Sequence, residues 1–214
     1  MRRPLRPGPT LSTRRLEAYT DGVFAIAATI LVLDLTTSRI PAVTSNGELG
    51  QGLLSLSTTA TTFVISFLLL CLLWSIHVRQ FEFIVRMNHR LMTLNSIRLL
   101  GVVTIPFTTG LASDYNEYVL GRILLPANFF FITVVSACQW FYATSETRTF
   151  VPNLDDRQRS DSRSDSVSAA VLAGVVVVFS TVAGFWAFLV FLLDPPLSRL
   201  VRNTARRRSA EVGK

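Results

Sequence analysis

Apolar residues along the chain come in long runs, without the two-residue alternation of a half-buried strand. Four runs are continuous: Ala18–Leu35, Leu53–Ile76, Leu91–Ala112 and Tyr118–Ala143. At 1.5 Å per residue each reaches roughly 27 Å or more as a helix, enough for the hydrocarbon core of a bilayer. A fifth run, Val167–Leu193, follows "TSETRTFVPNLDDRQRSDSRSDS", a charged, serine-rich stretch. That stretch reads as a mobile polar cytoplasmic linker over 144–166. The pattern predicts an all-α, polytopic membrane helix bundle. The first run lacks a small-residue cleavage site before the next polar loop, so it reads as a span and not as a signal peptide.

Charge decides how often the chain crosses. The 214 residues are half hydrophobic, with a mean hydropathy of +0.42 and a net charge of +7. A basic balance alone would suit nucleic acid, but eighteen of the 21 basic residues cluster at the ends of spans, in residues 1–17, 77–90, 144–166 and 194–214. Nucleic acid is therefore not expected as a partner; the lipid bilayer is. The loops 36–52 and 113–117 carry Arg39 against Glu48, Asp114 and Glu117. The first three basic segments alternate with these loops, which places all three, and the N-terminus, in the cytoplasm. A single crossing by Val167–Leu193 would strand Arg199, Arg202, Arg206, Arg207, Arg208 and Lys214 outside. Hydropathy alone gives five helices. Charge favours six, the last two short and breaking near Ser180–Gly184, with a cytoplasmic C-terminus. The expected organisation is a disordered basic N-terminus (1–13), a transmembrane domain (14–197) and a basic cytoplasmic tail (198–214).

Little in the chain suggests catalysis. There is no Ser-His pair, phosphate loop or His/Cys/Asp cluster, so neither an enzyme, a cofactor nor a metal site is expected. Cys71 and Cys138 lie within apolar runs and read as small buried hydrophobes.

The stretch "RLEAYTDGVFAIAATILVLDL" resembles the first-helix signature, Arg-x-x-x-Phe-Ser-Asp-Gly, of the bacterial branch of the transmembrane protein 175 family. Arg15, Asp21 and Gly22 match, and Tyr19 and Thr20 are conservative replacements. The resemblance continues through Trp74, His77 and Phe81, and more weakly around Asn88, Asn95 and Pro106–Phe107. It implies a potassium-permeable cation channel of six helices per subunit, assembled as a homotetramer in a bacterial cytoplasmic membrane. Such channels lack the carbonyl filter loop of ordinary potassium channels, and this chain has no "TVGYG".

On a 100°-per-residue wheel, Gly22, Ile26, Thr29, Ile30 and Leu33 share an arc of about 100°. Taken alone, such an arc is lipid contact or packing. In the family the first helix lines the pore, which puts the hydrophobic constriction on Ile26, with Thr29, Ile30 and Leu33 beyond it and potassium ions passing through. A ring of such stripes needs rotational symmetry, hence an oligomer. A structural collar is expected around it from Arg15, Asp21, Gly22, Trp74, His77 and Asn95. Asp21 lies about one turn inside the helix and needs a partner at that depth, either His77 or a neighbouring donor. It is also placed to satisfy the helix N-terminus, with Thr20 sharing that role. Gly22 would admit a close helix approach. Arg98, two turns into the third span, is expected to pair with Asp21 or Glu17 or to snorkel. Asp34 either draws cations to the pore mouth or is a plain interfacial acid. The alternative function is a proton-coupled carrier with Asp21 and His77 as its relay.

Overall fold

The structure is a computed structural model, and it describes residues 13–145, 150–184 and 186–188. Its architecture is all-α: α1 (Thr13–Leu31), α2 (Asn46–Ser55), α3 (Ser57–Phe83), α4 (His89–Val103), α5 (Ile105–Asp114), α6 (Val119–Ser145) and α7 (Asp156–Ala183). Among the described residues, five helical segments are long and apolar enough to cross a membrane; α4 and α5 together make the third. Residues beyond 188, on which a sixth crossing would fall, lie outside the described residues, as do the expected N-terminus up to residue 12 and the tail 198–214.

The third span is broken for a local reason. Pro106 has no N–H to donate to the carbonyl four residues before it, so the helix cannot run through. Thr104 forms the joint, its N–H and its Oγ1 both reaching the Gly101 carbonyl. The Asn128 amide of α6 donates to the same carbonyl at 3.1 Å. A polar side chain thus satisfies backbone that lipid cannot. Gly101 also lets α4 and α6 touch, since a Cβ there would come within 2.5 Å of the Ile132 side chain.

The loop after the first span, read from sequence as a plain connection over 36–52, contains most of the short helix α2 (Asn46–Ser55). Its N-terminus is stapled by Ser45, which accepts from the Glu48 N–H at 3.2 Å, while Glu48 reaches back to Thr44. Ser-x-x-Glu is the signature of a capping box, here with Glu48 accepting from Thr44, the residue before the cap.

The polar stretch 144–166 departs furthest from expectation. Phe150, Val151 and Leu154 are buried with Phe81, Ile84, Met87, Leu91 and Trp140 in a second apolar cluster at one end of the bundle. The Val85 N–H donates to the Phe150 carbonyl at 2.9 Å. From Asp156 the chain is helical, started by a capping box between Asp155 and Gln158. Far from a mobile loop, most of it is packed or wound, because three large hydrophobes and a strong N-cap sit within its polar composition. α7 is consequently one helix of 28 residues, where a short one was expected. It ends at Gly184, whose φ of 56° is a left-handed turn that favours glycine. Beyond that turn Ala187 and Phe188 are buried again, with Phe188 edge-on to Phe129 of α6.

The main core lies between α1, α3, α4, α5, α6 and α7, around Phe24, Leu31, Leu69, Leu99, Ile105, Phe129 and Val176. Both cysteines face outward, contrary to the sequence reading. In a bundle surrounded by lipid, outward apolar positions are as favourable for a small thiol as inward ones.

Candidate functional site

α1 has two faces. Thr20, Phe24, Ala27 and Leu31, spaced four, three and four apart, are buried against the bundle. Two residues of offset rotate a side chain by about 200°, so positions two away from this ridge point outward. Gly22, Ile26 and Thr29 accordingly face away from the bundle, as does Leu33 in the 3₁₀ turn that ends the helix, while Ile30 lies at the exposed flank of the ridge. Ile26 is 60 % and Leu33 71 % exposed. The Thr29 hydroxyl donates to the Ile26 carbonyl at 2.8 Å, which leaves its oxygen lone pairs outward. Beside this stripe, Asp21, Phe24, Ala25, Phe67, Cys71 and Trp74 line a groove of about 370 Å³ between α1 and α3.

Asp21 finds a different partner from the one expected. Its carboxylate accepts from the Trp74 indole N–H at 2.9 Å, and it shares no hydrogen bond with His77 among the described residues. His77 lies one turn further along α3 than Trp74, close to 300° around the helix, and that rotation turns it inward. It is fully buried, stacked on Phe24 and tilted against Phe81, with Nδ1 at 2.6 Å from Arg98 Nη2. A guanidinium only donates, so His77 Nδ1 is the acceptor and the imidazole is the neutral Nε2–H tautomer.

Arg98 is the centre of this network and is 2 % exposed. It neither pairs with Asp21 or Glu17 nor snorkels. Its Nη2 also donates to Asn95 Oδ1 at 2.6 Å and its Nη1 to Gln80 Oε1 at 3.4 Å, and its guanidinium lies over the Phe81 ring. Asn95 donates in turn to the Thr20 hydroxyl of α1 at 2.9 Å, and Ser136 of α6 donates to Gln80 at 3.2 Å. One cation thereby joins α1, α3, α4 and α6 through neutral acceptors. Gln80 and Ser136 were missed in the sequence; polar residues inside an apolar helix, with Gln80 three residues after His77, were the available signal.

The other candidates fall elsewhere. A Cβ on Gly22 would meet nothing within 4 Å, so no helix among the described residues approaches it. Arg15 is exposed and forms no ion pair with another described residue. Asp34 is 3.5 Å from Arg39, which also bonds Asp114, so it is tied into a bridge between the end of α1 and α5. Arg122 donates to the Val182 carbonyl near the end of α7.

A family model described as "Endosomal/lysosomal potassium channel TMEM175" matches residues 15–106. The chain is 30 % identical over 145 residues to a potassium channel of Streptomyces collinus, covering 66 % of this chain and 69 % of that one. It superposes with a TM-score of 0.71 on the crystal structure of a lysosomal potassium-selective channel TMEM175 homolog from Chamaesiphon minutus. That match is at 26 % identity, over 88 % of this chain and 97 % of the other. The human relative, 27 % identical over 195 residues, is named an endosomal/lysosomal proton channel; the match covers 90 % of this chain but 36 % of the human one. The signature around Asp21, the five apolar helices and these likenesses lead to one conclusion: the chain is a multi-pass membrane protein of the TMEM175 family, whose members are ion channels and not enzymes.

Proposed function

We propose that this protein is a potassium-permeable cation channel of a bacterial cytoplasmic membrane. In this reading α1 of each subunit lines a pore at the axis of a homotetramer, and both termini face the cytoplasm. The observation that carries it is the outward stripe of Ile26, Thr29, Ile30 and Leu33, set on a helix whose opposite face is buried in its own subunit. A ring of these side chains is narrow and apolar and offers a hydrated ion no replacement ligands. It closes by losing water and opens when widened. Asp21, held by Trp74, and the Arg98 network brace α1 from behind, so the stripe keeps its rotation without placing charge in the pore. The names of the bacterial relatives support potassium as the permeant ion.

The name of the human relative brings in protons as a second permeant ion. A relay through Asp21 and His77 is not favoured, because the two belong to separate hydrogen-bond groups. Recording purified protein in planar bilayers under a potassium gradient, then under a pH gradient in impermeant buffer, separates these readings. Reversal at the potassium potential is expected. Current that follows only the pH gradient would replace potassium by protons, and silence under both would remove the channel reading.

A further inference from the structure

We infer that the polar first turns of α7 and the end of α6 form a binding site for the headgroup of a phospholipid whose phosphate bears a protonated amine, the chemistry of phosphatidylethanolamine. A cavity of about 420 Å³ opens there between the two helices. Its polar wall comes from α7: Asp156, Arg159, Ser160, Arg163 and Ser164, with Phe141 and Val167 closing the apolar side.

Among the described residues, both guanidiniums are placed without a carboxylate partner. Arg163 is held by its Nε–H to Thr144 Oγ1 at 2.8 Å and lies over the Phe141 ring at 5.3 Å. Those contacts orient it and leave its charge uncompensated. Arg159 Nε and Nη2 have no acceptor among the described residues. Neither arginine forms an ion pair among those residues. Two adjacent cations, one turn apart on a single face, repel each other unless an anion lies between them, and the fork of donors on each suits a phosphate. The α7 N-terminus plays no part in this, since Asp155 and Gln158 already cap it.

Depth selects the ligand. α7 is 28 residues long, roughly 42 Å, against a hydrocarbon core of about 30 Å. Its sequence turns from polar to apolar at Val167, so the cavity straddles the headgroup layer. Along the axis the order is carboxylate (Asp156), guanidiniums (Arg159, then Arg163) and apolar wall (Val167), with Asp156 and Arg163 about 10 Å apart. Amine, phosphate and acyl chain follow the same order in a phosphatidylethanolamine. The exposed ridge Val167, Val171, Val175 continues the path for an acyl chain. Asp156 would oppose a phosphate alone, and its presence favours the zwitterion over a purely anionic headgroup.

The test is native mass spectrometry of the full chain in detergent, with dioleoyl phosphatidylethanolamine or dioleoyl phosphatidylglycerol added at equal concentration. Wild type should retain the ethanolamine lipid in preference. Arg159→Gln should reduce that retention about tenfold, as for one lost charge-assisted hydrogen bond, while Arg157→Gln should leave it unchanged. Asp156→Asn should abolish the preference between the two lipids without lowering phosphatidylglycerol retention. Arg159 holds nothing together within the described chain, so its variant should keep the wild-type melting temperature. Unchanged retention in Arg159→Gln, or an unchanged preference in Asp156→Asn, overturns the assignment. So does full displacement of lipid by inorganic phosphate at millimolar concentration, which would make this a free-anion site.

Discussion

Arg98 shows how a charge is kept inside a membrane bundle without a carboxylate. Its fork reaches Asn95, His77 and Gln80 at once, geometry that a lysine ammonium cannot reproduce. Arg98→Lys keeps the buried charge and its desolvation cost but loses part of the fork. A loss of about 2 kcal/mol is expected, from one or two hydrogen bonds, seen as a lower melting temperature in detergent. A variant that melts like wild type would mean the network does not brace the helices. Asp21 and Trp74 form a separate unit. Asp21→Ala and Trp74→Phe should each destabilise by about 1 kcal/mol, and the double variant by little more than either alone, since both remove one bond. Full additivity in that cycle would show that the bond contributes nothing. The sequence placed Asp21, Trp74, His77, Asn95 and Arg98 at one level because helix ends fix depth. It gave Asp21 to His77 or a neighbouring donor and Arg98 to Asp21, Glu17 or the interface, where the structure joins Asp21 to Trp74 and Arg98 to His77, Asn95 and Gln80; pairing depends on how α3 and α4 are rotated, and a run that is apolar all round leaves rotation open.

At the scale of elements, the legible parts were those with an unbroken apolar run. α6 was found to within two residues, α1 and α3 overlap their runs but end up to five and seven residues away from them, and the outward stripe of α1 was found as a face. The polar turns of α7 were hidden by their composition, although the Asp155–Gln158 cap and the buried Phe150, Val151 and Leu154 hold them firmly. The break at Thr104 was hidden by continuous hydropathy across Pro106. Substitutions at two glycines test which helix approaches lie within the described chain. A Cβ on Gly121 would fall 2.1 Å from the backbone carbonyl oxygen of Tyr115, which no side-chain movement can relieve. Gly121→Ala should therefore destabilise the protein by about 1–3 kcal/mol. Gly22→Ala meets open space among the described residues and should leave the fold of the chain intact, with a small gain in helix propensity. If Gly22→Ala changes assembly or conductance while the fold survives, α1 faces another copy. If it changes nothing while Gly121→Ala also melts like wild type, the helix approaches described here are wrong.

At the scale of the molecule, α1 is buried on one face and presents apolar side chains on the other, among several exposed apolar helix faces of the described residues. Topology follows from charge: a reporter active only in the cytoplasm, fused after Lys214, should be active. Activity from an external reporter alone would leave five crossings and a C-terminus outside. The central claim is that Ile26 forms the narrowest ring. Ile26→Ala removes three heavy atoms from each subunit's contribution and admits water, so the dewetting barrier falls. The most direct measurement is the bi-ionic potassium/sodium reversal potential of Ile26→Ala, with unitary current, beside Leu31→Ala on the buried face of the same helix. The account predicts larger current and weaker discrimination for Ile26→Ala, and lost stability with unchanged permeation for Leu31→Ala. Unchanged permeation in Ile26→Ala together with altered permeation in Leu31→Ala would contradict it.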